Sequence, residues 1–139
     1  MIILDTNVIS EAMRVAPEPA VTRWLEAQPL RQLATTTINL AEIKRGLARL
    51  PFGRRRLDLD INFEGFTMQA FADRVLNFDV AAANAYGDLV VARERAGRPL
   101  EGFDGLIAAI ARSRGLPIAT RNVGDFDGCG VAVTNPWDA

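Results

Sequence analysis

The amino-acid sequence predicts an α/β protein built on a parallel sheet. Short aliphatic runs alternate along the chain with segments in which apolar residues recur every three or four positions, and this alternation is typical of βαβ units. Several of the runs place aliphatic residues at consecutive positions, as in strands that are covered on both faces. The length of 139 residues, 49% of them hydrophobic, suits one domain with its own packed core.

Five runs have the composition of short buried strands, because each is aliphatic or β-branched and is bounded by polar or turn-forming residues. The predicted strands are, in order, Ile2–Leu4, Leu33–Thr36, Val75–Phe78, Pro117–Thr120 and Val131–Thr134. The first strand is followed at once by Asp5. Ligand chemistry in open α/β sheets gathers at the carboxyl ends of the strands, so this carboxylate stands where such sheets place their functional groups.

Six segments between these strands have helical spacing. The predicted helices are Asn7–Arg14, Glu18–Ala27, Asn39–Leu50, Arg54–Asp73, Val80–Ala96 and Gly102–Arg114. In the third, Leu40, Ile43 and Leu47 recur at intervals of three and four residues and so define one apolar face. Asp79 is expected to cap the fifth helix. The fourth has the weakest pattern, and we expect an interruption near Gly65.

The composition excludes several kinds of site. The chain contains no histidine, so it cannot be a ribonuclease with a histidine acid and base, a Ser-His-Asp enzyme or a zinc enzyme with two helical histidines. Cys129 is the single cysteine, which rules out a disulfide framework or thiolate cluster and fits a reducing cytoplasm. The amino terminus lacks the pattern of a signal peptide, and no apolar stretch approaches the length of a membrane span.

Four acidic residues share a structural context in the predicted sheet. Asp5 follows the first strand, Glu42 lies early in the helix after the second, Asp104 stands near the start of the last helix, and Asp125 follows the fourth strand. The carboxyl ends of parallel strands share one edge, so these carboxylates are expected to converge there. Clustered carboxylates repel one another unless a cation lies among them, and oxygen ligands without His or Cys favour Mg²⁺ or Mn²⁺.

Each of these acids also has a purely structural interpretation. Asp5 and Asp104 stand where helix N-caps stand. Asn39 and Glu42 have the spacing of a capping box, and Asp125 suits an exposed loop. A hydroxyl of Thr35–Thr37 is a further candidate to lie near the acids, although β-propensity explains these threonines equally well.

The net charge of −1 hides a local basic segment between residues 44 and 56. A solvated helix face is the ordinary explanation of such a segment, and contact with RNA phosphates is the alternative. The candidate RNA-binding residues are Arg45, Arg49, Arg54, Arg55 and Arg56.

Five stretches, taken in order, resemble the PIN domain and, more closely, the VapC toxins of type II toxin–antitoxin pairs, including their FitB-like group. The matching stretches are Leu4–Ser10, Ala41–Gly46, Phe103–Ala109, Ala119–Asn122 and Asn135–Trp137. They run from end to end, so the resemblance covers the whole chain as a single PIN domain, residues 1–139. It implies a five-stranded parallel sheet between two layers of helices.

The resemblance also implies roles for individual residues. Asp5, Glu42 and Asp104 match the acids of the family's metal site, which carry out its catalysis. Some relatives have Asp at the position of Asn122, whereas others have Asn there and an acid three residues later; we therefore assign the fourth charge to Asp125. Supporting roles fall to Thr6 and Asn7, which are expected to order Asp5, to Thr120, which matches a Thr or Ser of the family, and to Asn122 as a polar contact.

The function implied by the resemblance is a Mg²⁺-dependent endoribonuclease toxin, with Mn²⁺ able to replace Mg²⁺. Its expected partners are RNA, a cognate VapB-like antitoxin that inserts a basic residue into the active site, operator DNA only through that antitoxin, and a second copy of the chain in a homodimer. No membrane partner is expected.

Two other functions remain open. The chain could be a degenerate PIN scaffold that acts only in binding antitoxin and operator. Less favoured is a phosphatase similar to haloacid dehalogenases, which also begins with a strand and an Asp. That family needs a second Asp where this chain has Asn7, and a downstream catalytic lysine, whereas Lys44 is the only lysine.

Overall fold

The computed structural model describes residues 1–139 and contains a sheet of five parallel strands, as predicted. The strands are Ile2–Leu4 (β1), Leu33–Thr36 (β2), Val75–Leu76 (β3), Ile118–Ala119 (β4) and Val133–Thr134 (β5). Their order across the sheet is β3-β2-β1-β4-β5, and every neighbouring pair is parallel. The last three strands are shorter than predicted.

Six helices connect and flank the strands, and their bounds lie within two residues of the predicted ones. They are Thr6–Ala12 (α1), Pro19–Glu26 (α2), Thr37–Ala48 (α3), Arg54–Phe71 (α4), Val80–Arg95 (α5) and Asp104–Arg114 (α6). The interruption expected near Gly65 is wrong, because α4 continues through it. Phe63 and Phe71 are buried on either side of the glycine, and this packing outweighs the weak helix propensity of one residue. None of the helices has the length and apolarity needed to cross a membrane.

The sheet lies between two layers of helices, because alternate side chains of its central strands enter opposite cores. Ile3 and Ile118 join the core formed with α5 and α6. Leu4 and Ala119 join the core formed with α1, α2 and α4. These central strands are covered on both faces, which explains why their sequences are continuous aliphatic runs.

The order of the strands creates a crevice at one edge of the sheet. β1 is central, with β2 on one side and β4 on the other, so the chain leaves β1 and β4 in diverging directions. Such a switch point opens at the carboxyl ends of the strands. Asp5 and Thr120 directly follow β1 and β4 and meet in this crevice.

Two of the four predicted helix caps need correction. Asp79 caps α5 as expected, accepting the amide of Ala82 at 3.0 Å. The Asn39–Glu42 capping box is wrong: Thr36 is the N-cap of α3 and accepts the Asn39 amide at 3.1 Å, because β2 ends in extended backbone at this threonine. Asp104 is not an N-cap either, since it is already the first helical residue of α6.

Candidate active site

Asp5 is the buried centre of the crevice, with 6% of its surface exposed. Its Oδ1 accepts the backbone amide of Thr6 at 2.8 Å and the side-chain amide of Asn39 at 3.0 Å. Its Oδ2 accepts the Thr120 hydroxyl at 2.8 Å. Asp5 thus also caps α1, so its structural and functional interpretations are compatible. Burial raises the pKa of Asp5, and the three hydrogen bonds oppose that shift.

Thr120 connects the two strands that form the crevice. Besides donating to Asp5, its oxygen accepts the side-chain amide of Asn7 at 3.1 Å and the backbone amide of Asn122 at 3.1 Å. The Asn7 Oδ1 in turn accepts the backbone amide of Arg121 at 3.1 Å. Asn7 therefore orders Asp5 through Thr120 rather than by direct contact.

Glu42 is joined to Asp5 through Thr6 and Asn39. The Thr6 hydroxyl donates to Glu42 Oε1 at 3.0 Å and accepts the Asn39 side-chain amide at 3.1 Å. Asn39 is itself held by the Thr36 hydroxyl, which donates to its Oδ1 at 2.6 Å. Glu42 keeps one oxygen free of protein hydrogen bonds, and burial raises its pKa.

Asp104 reaches the crevice because α6 packs unusually close to α5. A Cβ on the next residue, Gly105, would lie 3.2 Å from Tyr86 and 3.3 Å from Val90, so only glycine permits this approach without movement. Burial, followed by the negative charges of Asp5, Asp125 and Glu42, raises the pKa of Asp104 to about 7.

Asp125 stands on a 3₁₀ turn, Val123–Phe126, whose end is anchored by buried Phe126. The guanidinium of Arg93, 7% exposed, donates to the carbonyl oxygens of Asp125 at 3.0 Å and Asp127 at 2.8 Å. Arg98 adds a bond to the Gly124 carbonyl at 3.1 Å. The turn is therefore held by its backbone, while the Asp125 carboxylate forms no hydrogen bond within the protein.

These side chains surround one polar cavity of about 510 Å³, which we call the acid cavity. No hydrophobic residue lines it, and none of its carboxylates forms a salt bridge. The lining residues are Asp5, Thr6, Asn7, Ser10, Glu42, Asp104, Asn122 and Asp125. All four predicted acids and three of their four predicted supporting residues line this cavity, and the fourth, Thr120, bonds Asp5 from behind.

The donor set suits a hard cation that retains much of its water. All available ligands are oxygens, as Mg²⁺ prefers. No three acidic side chains are close enough to form a ready-made coordination shell, but Mg²⁺ is usually held by one or two carboxylates together with water. Burial is the main cause of the raised pKa values of Asp5, Glu42 and Asp104, and the negative charges of neighbouring acids add to it, so a bound cation would favour the ionised carboxylates. The acid cavity therefore fits Mg²⁺ better than an ion that needs a complete protein cage.

The basic segment does not form one continuous surface. Arg45 stacks over Phe103 at 5.3 Å, beside Glu42, whereas Arg56 stacks over Phe52 at 4.4 Å in a cavity that shares no residue with the acid cavity. Lys44 pairs with two acids of α4 and so joins α3 to α4.

Asn39 and Arg93 shape the site, although their sequence patterns do not predict this role. Asn39 was assigned to a capping box, and only the true cap at Thr36 leaves its side chain free to reach Asp5. Arg93 carries no local signal that sets it apart from the other arginine of α5, because its bonds to the carbonyls of Asp125 and Asp127 are defined by tertiary structure. None of the hydroxyls of Thr35–Thr37 bonds an acid directly: that of Thr36 donates to Asn39, and that of Thr35 donates to the Leu4 carbonyl.

Comparisons with known proteins agree with this geometry. The model of the PIN domain matches residues 2–127. The plasmid stability protein StbB of Pseudomonas syringae pv. tomato is 44% identical over 139 residues, covering 100% of both chains. The VapC ribonuclease Y4jK of Sinorhizobium fredii is 41% identical over 138 residues, covering 99% of both. The crystal structure of FitAcB from Neisseria gonorrhoeae superposes with a TM-score of 0.92 at 37% identity and covers 100% of both chains.

The chain therefore belongs to the PIN-domain family and, within it, to the VapC and FitB-like toxins. Other solved structures with this fold include VapBC toxin–antitoxin proteins, and the one from Salmonella typhimurium is bound to DNA.

Proposed function

We propose that this PIN-domain protein is the toxin of a type II toxin–antitoxin pair and that it cuts RNA internally with the help of Mg²⁺. The observation that supports the proposal most is that four carboxylates, none of them in a salt bridge, converge on one polar cavity in a chain without histidine. The relationship to VapC ribonucleases supports a nuclease. Because the proposed substrate and the proposed antitoxin are cytoplasmic, we also propose a cytoplasmic location for this protein.

The four acids of the cavity have different proposed roles in hydrolysis. Hydrolysis of a phosphodiester brings a nucleophile to an anion, and a bound Mg²⁺ supplies positive charge for the phosphate and lowers the pKa of water. Asp5 and Asp104 would hold the ion. Glu42, whose Oε1 is occupied by Thr6, presents its free oxygen to orient the attacking water or accept its proton. Asp125 shares that role or helps to hold a second ion.

Cleavage in the presence and absence of metal tests this function. Purified protein, free of antitoxin, should cut single-stranded RNA with Mg²⁺ or Mn²⁺ and should stop when EDTA is added. Full cleavage in EDTA would refute the metal-dependent mechanism. Absence of cleavage with either ion, together with retained antitoxin binding, would support a scaffold instead.

The antitoxin is proposed to insert a basic side chain into the acid cavity. The cavity has no cation of its own, so an Arg or Lys from a segment that folds on binding would neutralise it. The antitoxin would also make the contacts with operator DNA. Charge reversal of the inserted residue should restore cleavage in the complex, and unchanged inhibition would contradict this mechanism but not the partnership.

Outside the cavity, we propose that Arg49 and Arg54–Arg56 contact phosphates along the rim in a homodimer. Phosphate contacts set affinity and its dependence on salt, not sequence preference. Changing Arg54–Arg56 to Ala should flatten the slope of log K against log salt by roughly 0.7 for each lost contact. An unchanged slope would show that these arginines only form a solvated helix face. The proposed homodimer is tested separately, by light scattering.

A further inference from the structure

A second cavity, of about 310 Å³, lies directly beside the acid cavity. We call it the flanking cavity. It is lined by Glu42, Arg45, Glu101, Gly102, Phe103 and Asp104. Glu42 and Asp104 line both cavities, so a group bound here lies within reach of a phosphate in the acid cavity.

We propose that the flanking cavity binds the base of a nucleotide next to the cleaved phosphate, with Arg45 as its stacking surface and Glu101 as its hydrogen-bond acceptor. The inference rests on the proposed ribonuclease function and adds a subsite to it. It also separates Arg45 from the other arginines of the basic segment, because Arg45 alone among them lines a cavity that shares residues with the acid cavity.

Arg45 is placed as a stacking surface rather than as a structural ion pair. Its guanidinium lies 5.3 Å from the centre of the Phe103 ring and forms no hydrogen bond or salt bridge with the protein. Phe103 packs against the core between α5 and α6, so the ring that supports Arg45 is itself anchored. Guanidinium planes stack well on nucleobases, and no hydrogen bond within the protein ties up the nitrogens of Arg45.

The charge of the flanking cavity favours a base over a phosphate. Three carboxylates and one guanidinium line it, so a phosphate would meet an excess of negative charge. A neutral base avoids this repulsion and offers N–H groups to the carboxylates. Gly102, with φ of +42° and no atom within 4 Å of the place of a Cβ, leaves this part of the wall open to a flat ligand.

Glu101 makes the subsite selective among the bases. An ionised carboxylate only accepts hydrogen bonds, so it complements the exocyclic amines of adenine, cytosine and guanine. Uracil has no exocyclic amine, and its single ring N–H between two carbonyl oxygens matches a carboxylate poorly. The subsite should therefore disfavour uridine at one position beside the cleaved bond.

A set of short RNAs tests this inference, with each of the four bases placed in turn on either side of the cleaved bond. With Mg²⁺, wild-type protein should show a kcat/KM at least about tenfold lower for uridine at one of these positions. Glu101→Gln should abolish the preference, because an amide both donates and accepts. Arg45→Lys keeps the charge but loses the plane, and should raise KM about tenfold with little change in kcat.

Arg95→Lys is the control, because Arg95 is an exposed arginine of α5 that lines neither cavity. It should leave the base preference and KM unchanged. Cleavage without base preference at either position, or a preference that Glu101→Gln and Arg45→Lys leave unchanged, would overturn the subsite while leaving the ribonuclease. Absence of any metal-dependent cleavage by wild type would remove both.

Discussion

The two sides of the acid cavity are held in different ways. Asp5 is fixed through its own carboxylate, both oxygens of which accept hydrogen bonds from Thr6, Asn39 and Thr120. Asp125 is fixed only through the backbone of its turn, which Arg93 holds from beneath. One side is a buried hydrogen-bond network at the end of a central strand, and the other is an exposed turn with a free carboxylate.

This difference indicates a division of labour. A carboxylate with three partners has one fixed position, so it suits the permanent ligand of an ion. A carboxylate without hydrogen-bond partners can adjust to an ion, a water or the substrate, but its position depends on how firmly its turn is held. Substitutions on the two sides should therefore differ in both size and kind.

The largest effect should come from Asp5→Asn. The amide keeps the shape of the side chain but removes the charge of a proposed metal ligand, which contributes several kcal/mol to transition-state stabilisation. We expect cleavage to fall by about a thousandfold or more, with the fold retained in circular dichroism. Asp88→Asn, an exposed acid of α5, is the control. Activity within tenfold of wild type would remove Asp5 from the proposed site.

Asp125→Asn should have a smaller effect, and comparison with Asn122→Ala sharpens the contrast. Both residues line the acid cavity, but a carboxylate attracts Mg²⁺ more strongly than a neutral amide does. We expect Asp125→Asn to reduce kcat/KM more than Asn122→Ala. If Asn122→Ala is the more damaging change by tenfold or more, the fourth charge has been assigned to the wrong residue.

Arg93→Lys should affect only the Asp125 side. The Nη1 of Arg93 donates to the carbonyls of Asp125 and Asp127 while its Nε donates to that of Arg98, and lysine keeps the charge but cannot reproduce this fixed set of donors. We expect a loss of about tenfold in apparent Mg²⁺ affinity, the lower end for residues that orient metal ligands. The measurement is the Mg²⁺ concentration that gives half-maximal cleavage, with the melting temperature recorded alongside. A lower melting temperature with unchanged Mg²⁺ dependence would show that Arg93 only stabilises the fold.

The same contrast explains which parts of the molecule the sequence predicts. The fold class, the five strands and the position of Asp5 can be predicted from local sequence patterns, because a buried strand and the acid after it are contiguous in sequence. The hydrogen-bond network around Asp5 does not, since Asn39 and Thr120 reach it across 34 and 115 residues.

The Asp125 side is harder to predict for a related reason. A turn offers two candidate polar residues three positions apart, and their spacing alone cannot say which is free to bind an ion. Arg93, which holds the turn, is 32 residues away from Asp125 and bonds a backbone carbonyl oxygen. Every residue has such an oxygen, so the side chains of the turn do not indicate that Arg93 binds there. The flanking cavity likewise depends on α3 meeting the start of α6, which only the folded chain shows.

The smallest effect should be the pH dependence of stability without metal, which tests whether the surroundings of Asp104 favour its protonated form. The pKa of Asp104 is raised from 3.8 to about 7 by burial and by the charges of Asp5, Asp125 and Glu42. Between these values the folded protein binds more protons at this residue than the unfolded chain does, so stability falls as pH rises and levels off above about pH 7.

Metal-free protein should therefore melt at a higher temperature at pH 5 than at pH 8, and Asp104→Asn should reduce that difference. The residual slope would come from Asp5 and Glu42, whose pKa values are also raised. Mg²⁺ should raise the melting temperature of wild type more at pH 8 than at pH 5, because the ion competes with protons for the carboxylates. If the Asp104→Asn protein has the same pH slope as wild type, the pKa of Asp104 is not raised in the folded protein, and neither its burial nor the charges of the other acids favour its protonated form.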